Sequence, residues 1–184
     1  MTMRYKLFGR SGLRVSEFAL GTMTFGEDWG WGASREASRQ IFDAYAEAGG
    51  NFIDTANRYT EGTSETYVGE FVQADREHFV VASKYTLQMR QGDPNLSGNH
   101  RKNLVQSVRA SLKRLNTDYL DLLWVHAWDF TTSVEEVLRG LDDLVRQGLC
   151  DDAVRIGRLL RGLMPREPEV LGLLALMLLT ASRA

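Results

Sequence analysis

The sequence predicts an α/β fold, a parallel sheet covered by helices that forms part of an eight-stranded barrel, with a helical hairpin after it. Three observations predict it. A short apolar run followed by a helical pattern occurs four times in succession between Phe18 and Arg146. Runs such as FVVAS and LDLLWV are apolar on consecutive rather than alternate residues, as strands buried on both faces are. No strand is followed by Gly-x-Gly-x-x-Gly or Gly-x-x-x-x-Gly-Lys, so the usual phosphate loops of open α/β sheets are missing and the barrel is favoured over the open sheet.

The chain opens on a hairpin. Tyr5 to Phe8 lead through Gly9, Ser11 and Gly12 into Leu13 to Phe18, with rough alternation on the return strand, and the hairpin is expected to close one end of the fold. The first βα unit pairs FALGT (Phe18 to Thr22) with a helix from Ser34 to Ala48. Ile41, Ala44, Tyr45 and Ala48 recur there at helical spacing, and Gly49 and Gly50 stop the helix. The second unit joins Asn51 to Ala56 with a helix from Ser64 to about Ala74. The third joins Phe79 to Lys84 with a helix from about His100 to Leu115. The fourth joins Leu120 to His126 with a helix from Ser133 to Arg146, whose start is marked by the capping-box spacing of Ser133 and Glu136. After Gly148 no fifth strand is predicted. Ala153, Ile156, Leu160 and Leu163 form a helical stripe, Pro165 and Pro168 interrupt it, and Glu169 to Ala181 make a second, nearly all-apolar helix.

Length and composition narrow the function. The 184 residues suffice for one domain with a sizeable core but fall short of the roughly 250 of a complete eight-stranded α/β barrel. A 43% hydrophobic and 25% charged composition is that of a globular chain. A net charge of -2 without a basic face gives no case for nucleic acid. The longest apolar run, Val170 to Leu179, is below the ~20 residues that span a bilayer, and the charged N-terminus does not read as a signal peptide, so no membrane segment is expected. Cys150 is the single cysteine. It excludes an internal disulfide framework or a cysteine-based zinc site, no metal is expected, and the default location is the cytoplasm.

The chemistry lies at strand ends. Asp54, Lys84 and His126 terminate the second, third and fourth strands, each a group expensive to bury. In α/β barrels the C-terminal strand ends converge on one face, where catalytic groups from different strands meet. Singly, each has a structural alternative: Asp54 as a turn cap, Lys84 as a charge reaching water, His126 as a hydrogen-bonded core residue. Their recurrence at corresponding positions favours one shared pocket, and a partial (β/α)8 TIM barrel as the scaffold. Tyr59, five residues beyond Asp54, can reach back over the same face. A phenol is a weak acid, but a neighbouring ammonium favours its ionised form, and a carboxylate holds that ammonium in place. With an imidazole to orient a substrate oxygen, the set suits reduction of a carbonyl or the reverse reaction.

These residues sit in motifs that resemble a known family. NFIDTANRYTEGTSE (Asn51 to Glu65), VVASKY (Val80 to Tyr85) and LDLLWVHAWD (Leu120 to Asp129) resemble the tetrad-bearing motifs of aldo-keto reductases, and GTMTFG (Gly21 to Gly26) resembles the loop after their first strand. The match runs from about Met3 to Gly148. The resemblance implies an NADPH-dependent reductase of aldehydes or ketones, with Asp54, Tyr59, Lys84 and His126 as the catalytic tetrad and a small carbonyl compound as substrate. It places Thr22, Met23 and Asp54 near the cofactor. Trp29, Trp31 and Trp128 match positions that line substrate pockets, with packing against the core an equal alternative.

Beyond Gly148 the pattern departs from that family, whose fifth to eighth strands supply the rest of the cofactor site. Leu149 to Leu179 instead resemble a helical segment from the C-terminal region of extracytoplasmic-function sigma factors, through the pieces LC, GRLL and PEVLGLLALMLL. No promoter-reading region precedes it, and Arg155, Arg158 and Arg161 lie opposite the apolar stripe, so no nucleic-acid role follows. The expected organisation is an aldo-keto reductase half-barrel over 1–148 and a helical tail of different origin over 149–184. Two functional readings result: a reductase, or a catalytically inactive chimeric or truncated half-barrel that self-associates. In both, the open edges of a half-barrel favour a homo-oligomer.

Overall fold

Four parallel strands in the order β3-β4-β5-β6 carry the molecule: β3 (Leu20–Gly21), β4 (Phe52–Asp54), β5 (Val80–Tyr85) and β6 (Leu122–Val125). The computed structural model describes residues 3–148, so the expected helical hairpin and the 149–184 tail lie outside the described residues. A hairpin of β1 (Tyr5–Leu7) and β2 (Arg14–Ser16) precedes the sheet, paired antiparallel with Tyr5 opposite Ser16. Four helices follow the four strands in turn: α1 (Arg35–Glu47), α2 (Thr63–Val72), α3 (Arg101–Leu115) and α4 (Val134–Arg146). These are the predicted hairpin and four βα units, with strands trimmed to their hydrogen-bonded centres.

Period-2 alternation in the strands divides the interior into two clusters. Ile53, Val81, Tyr85 and Leu123 face the helices and pack with Phe42, Val68, Phe71, Leu104, Val108, Leu138 and Leu141. The opposite face presents Val80, Ala82 and Leu122, which pack with Val15, Leu13, Phe8, Phe52 and Trp124. Phe8 meets the edges of Phe52 and Trp124 at 5.3 and 6.0 Å between ring centroids. The hairpin therefore closes the end of the sheet where the strands begin, and leaves the end where they finish to the loops that carry Tyr59 and His126.

Helix starts follow the sequence closely. Ser34 and Ser133 cap α1 and α4 by accepting from the N–H of Ala37 and Glu136. The return half of the capping box does not form in α4, because the Glu136 carboxylate accepts instead from the N–H of Arg101 at 2.9 Å and serves the start of α3. The buried face of α1 also differs from the expected stripe. Ile41 is 46% exposed and Ala44 and Ala48 are exposed, whereas Ser38 and Phe42 are buried. Phe42 contributes more apolar area than Ile41 and has aromatic neighbours, Phe71 at 5.5 Å and Phe79 at 5.3 Å, which rotates the helix toward it. Phe18, expected to open the first strand of the sheet, lies outside β3 and is 67% exposed. Its carbonyl is taken by the Tyr45 and Ser16 hydroxyls rather than by a strand ladder.

Helices α2 and α3 approach closely where α2 carries Gly69. A Cβ there would come within 2.5 Å of the Leu115 backbone, so only glycine admits this packing. Among the described residues β3 and β6 each have one strand neighbour, which leaves both outer edges of the sheet unpaired.

Candidate active site

The register explains why three distant residues converge. Asp54 on β4 lies opposite Ala82 on β5, so Lys84, two residues further, projects from the same face one pleat higher. Lys84 lies opposite Trp124 on β6, and His126 again follows two residues on. The β6 ladder continues just past its last residue, since the His126 N–H donates to the Tyr85 carbonyl at 3.1 Å.

Lys84 is the hub. Its ammonium donates to Asp54 Oδ2 at 2.5 Å, to the Thr55 carbonyl at 2.8 Å and to the Tyr59 hydroxyl oxygen at 3.0 Å. An ammonium has three N–H donors, and all three are used. The Nζ also lies 4.6 Å from the centre of the Tyr59 ring, within cation–π range. Because the phenol oxygen accepts from Lys84, its own proton is free to be donated elsewhere. His126 stands edge-on to Tyr59, ring centroids 5.9 Å apart. Burial first, and the Lys84 ammonium second, lower its pKa, with Asp54 opposing, so the ring favours its neutral form, which donates through one nitrogen only.

The structure thus brings Asp54, Tyr59, Lys84 and His126 together, as expected. The other expected residues divide. Thr22 is fully buried, its hydroxyl 3.2 Å from the Asp54 carbonyl and 2.8 Å from the Ser64 hydroxyl, so its side chain supports the loop behind the tetrad. Met23 is 45% exposed beside it. Trp29 and Trp31 meet at a tilt, ring centroids 5.5 Å apart, in the loop after β3, and the Trp29 indole donates to Glu61, two residues past Tyr59. Trp31 faces solvent. Trp128 packs against the helix-side cluster, the alternative left open for it.

Sequence reasoning missed the residues that hold the loops. Asp129 accepts from the N–H groups of Asn99 (2.7 Å), Thr131 (2.9 Å) and Thr132 (2.8 Å) and from the Thr132 hydroxyl (2.8 Å). The Asn99 side chain returns the contact, accepting from the Asp129 N–H at 2.6 Å and donating to the Ala127 carbonyl at 2.9 Å. This latch ties the segment before α3 to the loop that carries His126 and Trp128. Burial alone would raise the Asp129 carboxyl, but the three N–H donors and the hydroxyl outweigh it and hold the group well below the usual carboxylate range. The Asp-x-Thr-Thr spacing after a strand is a local Asx signal for such a turn. Its partner Asn99 has no signal in the sequence. Among the described residues no group of three or more His, Cys, Asp or Glu is placed to hold a metal, and no helix is long and apolar enough to cross a membrane.

Known proteins resemble this chain in sequence and fold. The model of the Aldo/keto reductase family matches residues 17–153. The chain is 48% identical over 152 residues to norsolorinic acid reductase of Aspergillus flavus, covering 77% of this chain and 39% of that protein. It is 44% identical over 151 residues to the aryl-alcohol dehydrogenase (NADP(+)) of Phanerodontia chrysosporium, covering 74% and 39%. A Saccharomyces cerevisiae protein carrying a provisional aryl-alcohol dehydrogenase name is 39% identical over 190 residues, covering 97% of this chain, and so extends past Gly148, and 89% of that protein. A solved aldo-keto reductase from Bacillus halodurans, in its holo form, superposes with a TM-score of 0.72 at 29% identity, over 81% of this chain and 48% of that one. The chain spans about two fifths of the length of the first two relatives. With the matched residues running through every strand and helix of the parallel sheet, the chain belongs to the aldo/keto reductase family.

Proposed function

We propose that the chain carries the proton-handling site of an NADPH-dependent reductase of aldehydes and ketones, with Tyr59 as the proton donor. One observation carries the reading: the Lys84 ammonium spends its three donors on Asp54, the Thr55 carbonyl and the Tyr59 oxygen, which turns the phenol proton outward. NADPH, when bound, supplies the hydride that goes to the carbonyl carbon. Tyr59 gives its proton to the carbonyl oxygen as negative charge develops there, and Lys84 stabilises the phenolate that remains. Asp54 keeps Lys84 charged and in register, and the neutral His126 ring donates a hydrogen bond that orients the substrate oxygen. The donor set fits the cofactor: Lys84 engages one Asp54 oxygen and the Asp54 side chain stays 28% exposed, able to accept from a ribose hydroxyl. The Trp29–Trp31 pair suits aromatic carbonyl compounds, in keeping with the names of the relatives, one of which includes NADP(+). A cytoplasmic setting belongs to the same reading.

A fluorescence titration of NADPH tests it: saturable binding below millimolar cofactor is expected, and no binding at that concentration removes the reductase reading. The second reading, an inactive partial barrel that pairs with another copy, is favoured by the unpaired edges of β3 and β6 among the described residues. It is checked by sedimentation in the same buffer, where a dimer that binds no NADPH is its signature.

A further inference from the structure

We infer that Thr60 is a positioning residue for Tyr59, its hydroxyl locking the left-handed turn that holds the phenol against Lys84. The inference rests on the reading of Tyr59 as the proton donor. Directly after Tyr59, three successive residues have positive φ: Thr60 at 45°, Glu61 at 56° and Gly62 at 100°. Glycine takes that region freely, whereas a β-branched residue there is disfavoured, so side-chain interactions must hold Thr60 in it.

The Thr60 hydroxyl supplies them. It is fully buried, donates to the Phe25 carbonyl at 2.6 Å and accepts from the Ser64 N–H at 3.1 Å. The first bond fastens the turn to the loop after β3. The second caps α2, whose own N-cap, Gly62, has no side chain to do so. The fit is close, since a Cβ on Gly26 would come 2.9 Å from the Thr60 oxygen. Ser64 continues the chain of hydroxyls to Thr22 at 2.8 Å and Thr55 at 3.0 Å, and the Thr55 carbonyl is itself an acceptor for Lys84. Tyr59 and Lys84 are therefore referenced to one buried hydroxyl network, and Thr60 is its link to Tyr59. The role needs a group that both donates and accepts, which serine retains and valine, of nearly the same shape, lacks.

The test labels the ζ-carbons of the six tyrosines with carbon-13 and identifies the Tyr59 line by its loss in Tyr59→Phe. Lys84→Met gives the direction in which that line moves when the phenol loses its partner. Thr60→Val is expected to move the Tyr59 line in that direction, with the other five in place, and Thr60→Ser to restore it. Thr60→Gly relieves the backbone while removing the hydroxyl, so it decides the matter where the valine protein does not fold, and it too should displace the line. A Tyr59 line at its wild-type position in Thr60→Gly overturns the inference. Where carbonyl reduction is measurable, kcat should fall on the order of tenfold or more in Thr60→Val with KM within about twofold. Absence of reduction in the wild type defeats the proposed function and leaves the spectroscopic comparison to judge Thr60.

Discussion

Replacing Asp129 by asparagine removes the charge from the latch that carries the His126 loop. Each carboxylate oxygen accepts two bonds: Oδ2 from the Asn99 N–H and the Thr132 hydroxyl, and Oδ1 from the N–H groups of Thr131 and Thr132. An asparagine keeps one accepting oxygen and turns an NH2 group toward the donors on the other side, so two bonds are lost. Hydrogen bonds to a charged group contribute about 1.5 kcal/mol each at the low end, and solvent at this partly exposed side chain reduces the total to about 2 kcal/mol. For a chain of this size that lowers Tm by roughly 4–8 °C. The pH dependence has a definite sign. The folded pKa is depressed, so the stabilisation is complete above the unfolded carboxylate value of about 3.9 and is lost as pH falls through the lower folded value. Urea midpoints of the wild type and Asp129→Asn should differ by a constant amount from pH 7 to pH 5, and the gap should narrow progressively as pH falls below about 4. Equal midpoints at pH 7, or a gap that does not narrow between pH 5 and pH 3, would refute the reasoning.

Other consequences are as direct. Phe42→Ala should cost about 3 kcal/mol in urea unfolding, since it empties the site between Phe71 and Phe79, while Ile41→Ala should stay within about 0.5 kcal/mol; the reverse order would show that α1 buries the other face. Burial and the Lys84 ammonium depress the folded pKa of His126, so the folded protein resists a proton that the unfolded chain accepts and stability falls as pH drops below the ordinary histidine value. His126→Gln should flatten that fall between pH 6.5 and 5, and an unchanged slope would place the proton-linked group elsewhere.

What the sequence disclosed follows from how local its signals are. The βα order, the cap Ser133 and the strand-end positions of Asp54, Lys84 and His126 are set by neighbours in the chain, and the period-2 geometry of parallel strands converts them into one site. The buried face of α1 was not legible, because Ile41 and Phe42 satisfy helical periodicity about equally and aromatic partners from α2 and from Phe79, just before β5, decide between them. Glu136 carries the spacing of a capping box, yet its partner lies 35 residues away on another helix. The family motif predicts Thr22 beside the cofactor, but the Ser64 hydroxyl and the Asp54 carbonyl, both distant in the chain, occupy its side chain. Thr60 and Asn99 act through long-range bonds to Phe25 and Asp129, which no local pattern records.

The most direct measurement is benzaldehyde-dependent oxidation of NADPH by the wild type and by Tyr59→Phe, followed at saturating cofactor. The account predicts turnover in the wild type and a loss of about 100-fold or more in kcat in the phenylalanine protein, with NADPH affinity unchanged because only the donated proton is missing. Tyr59→Phe turning over at the wild-type rate would contradict it, since the proton would then come from a group other than the one Lys84 holds at 3.0 Å.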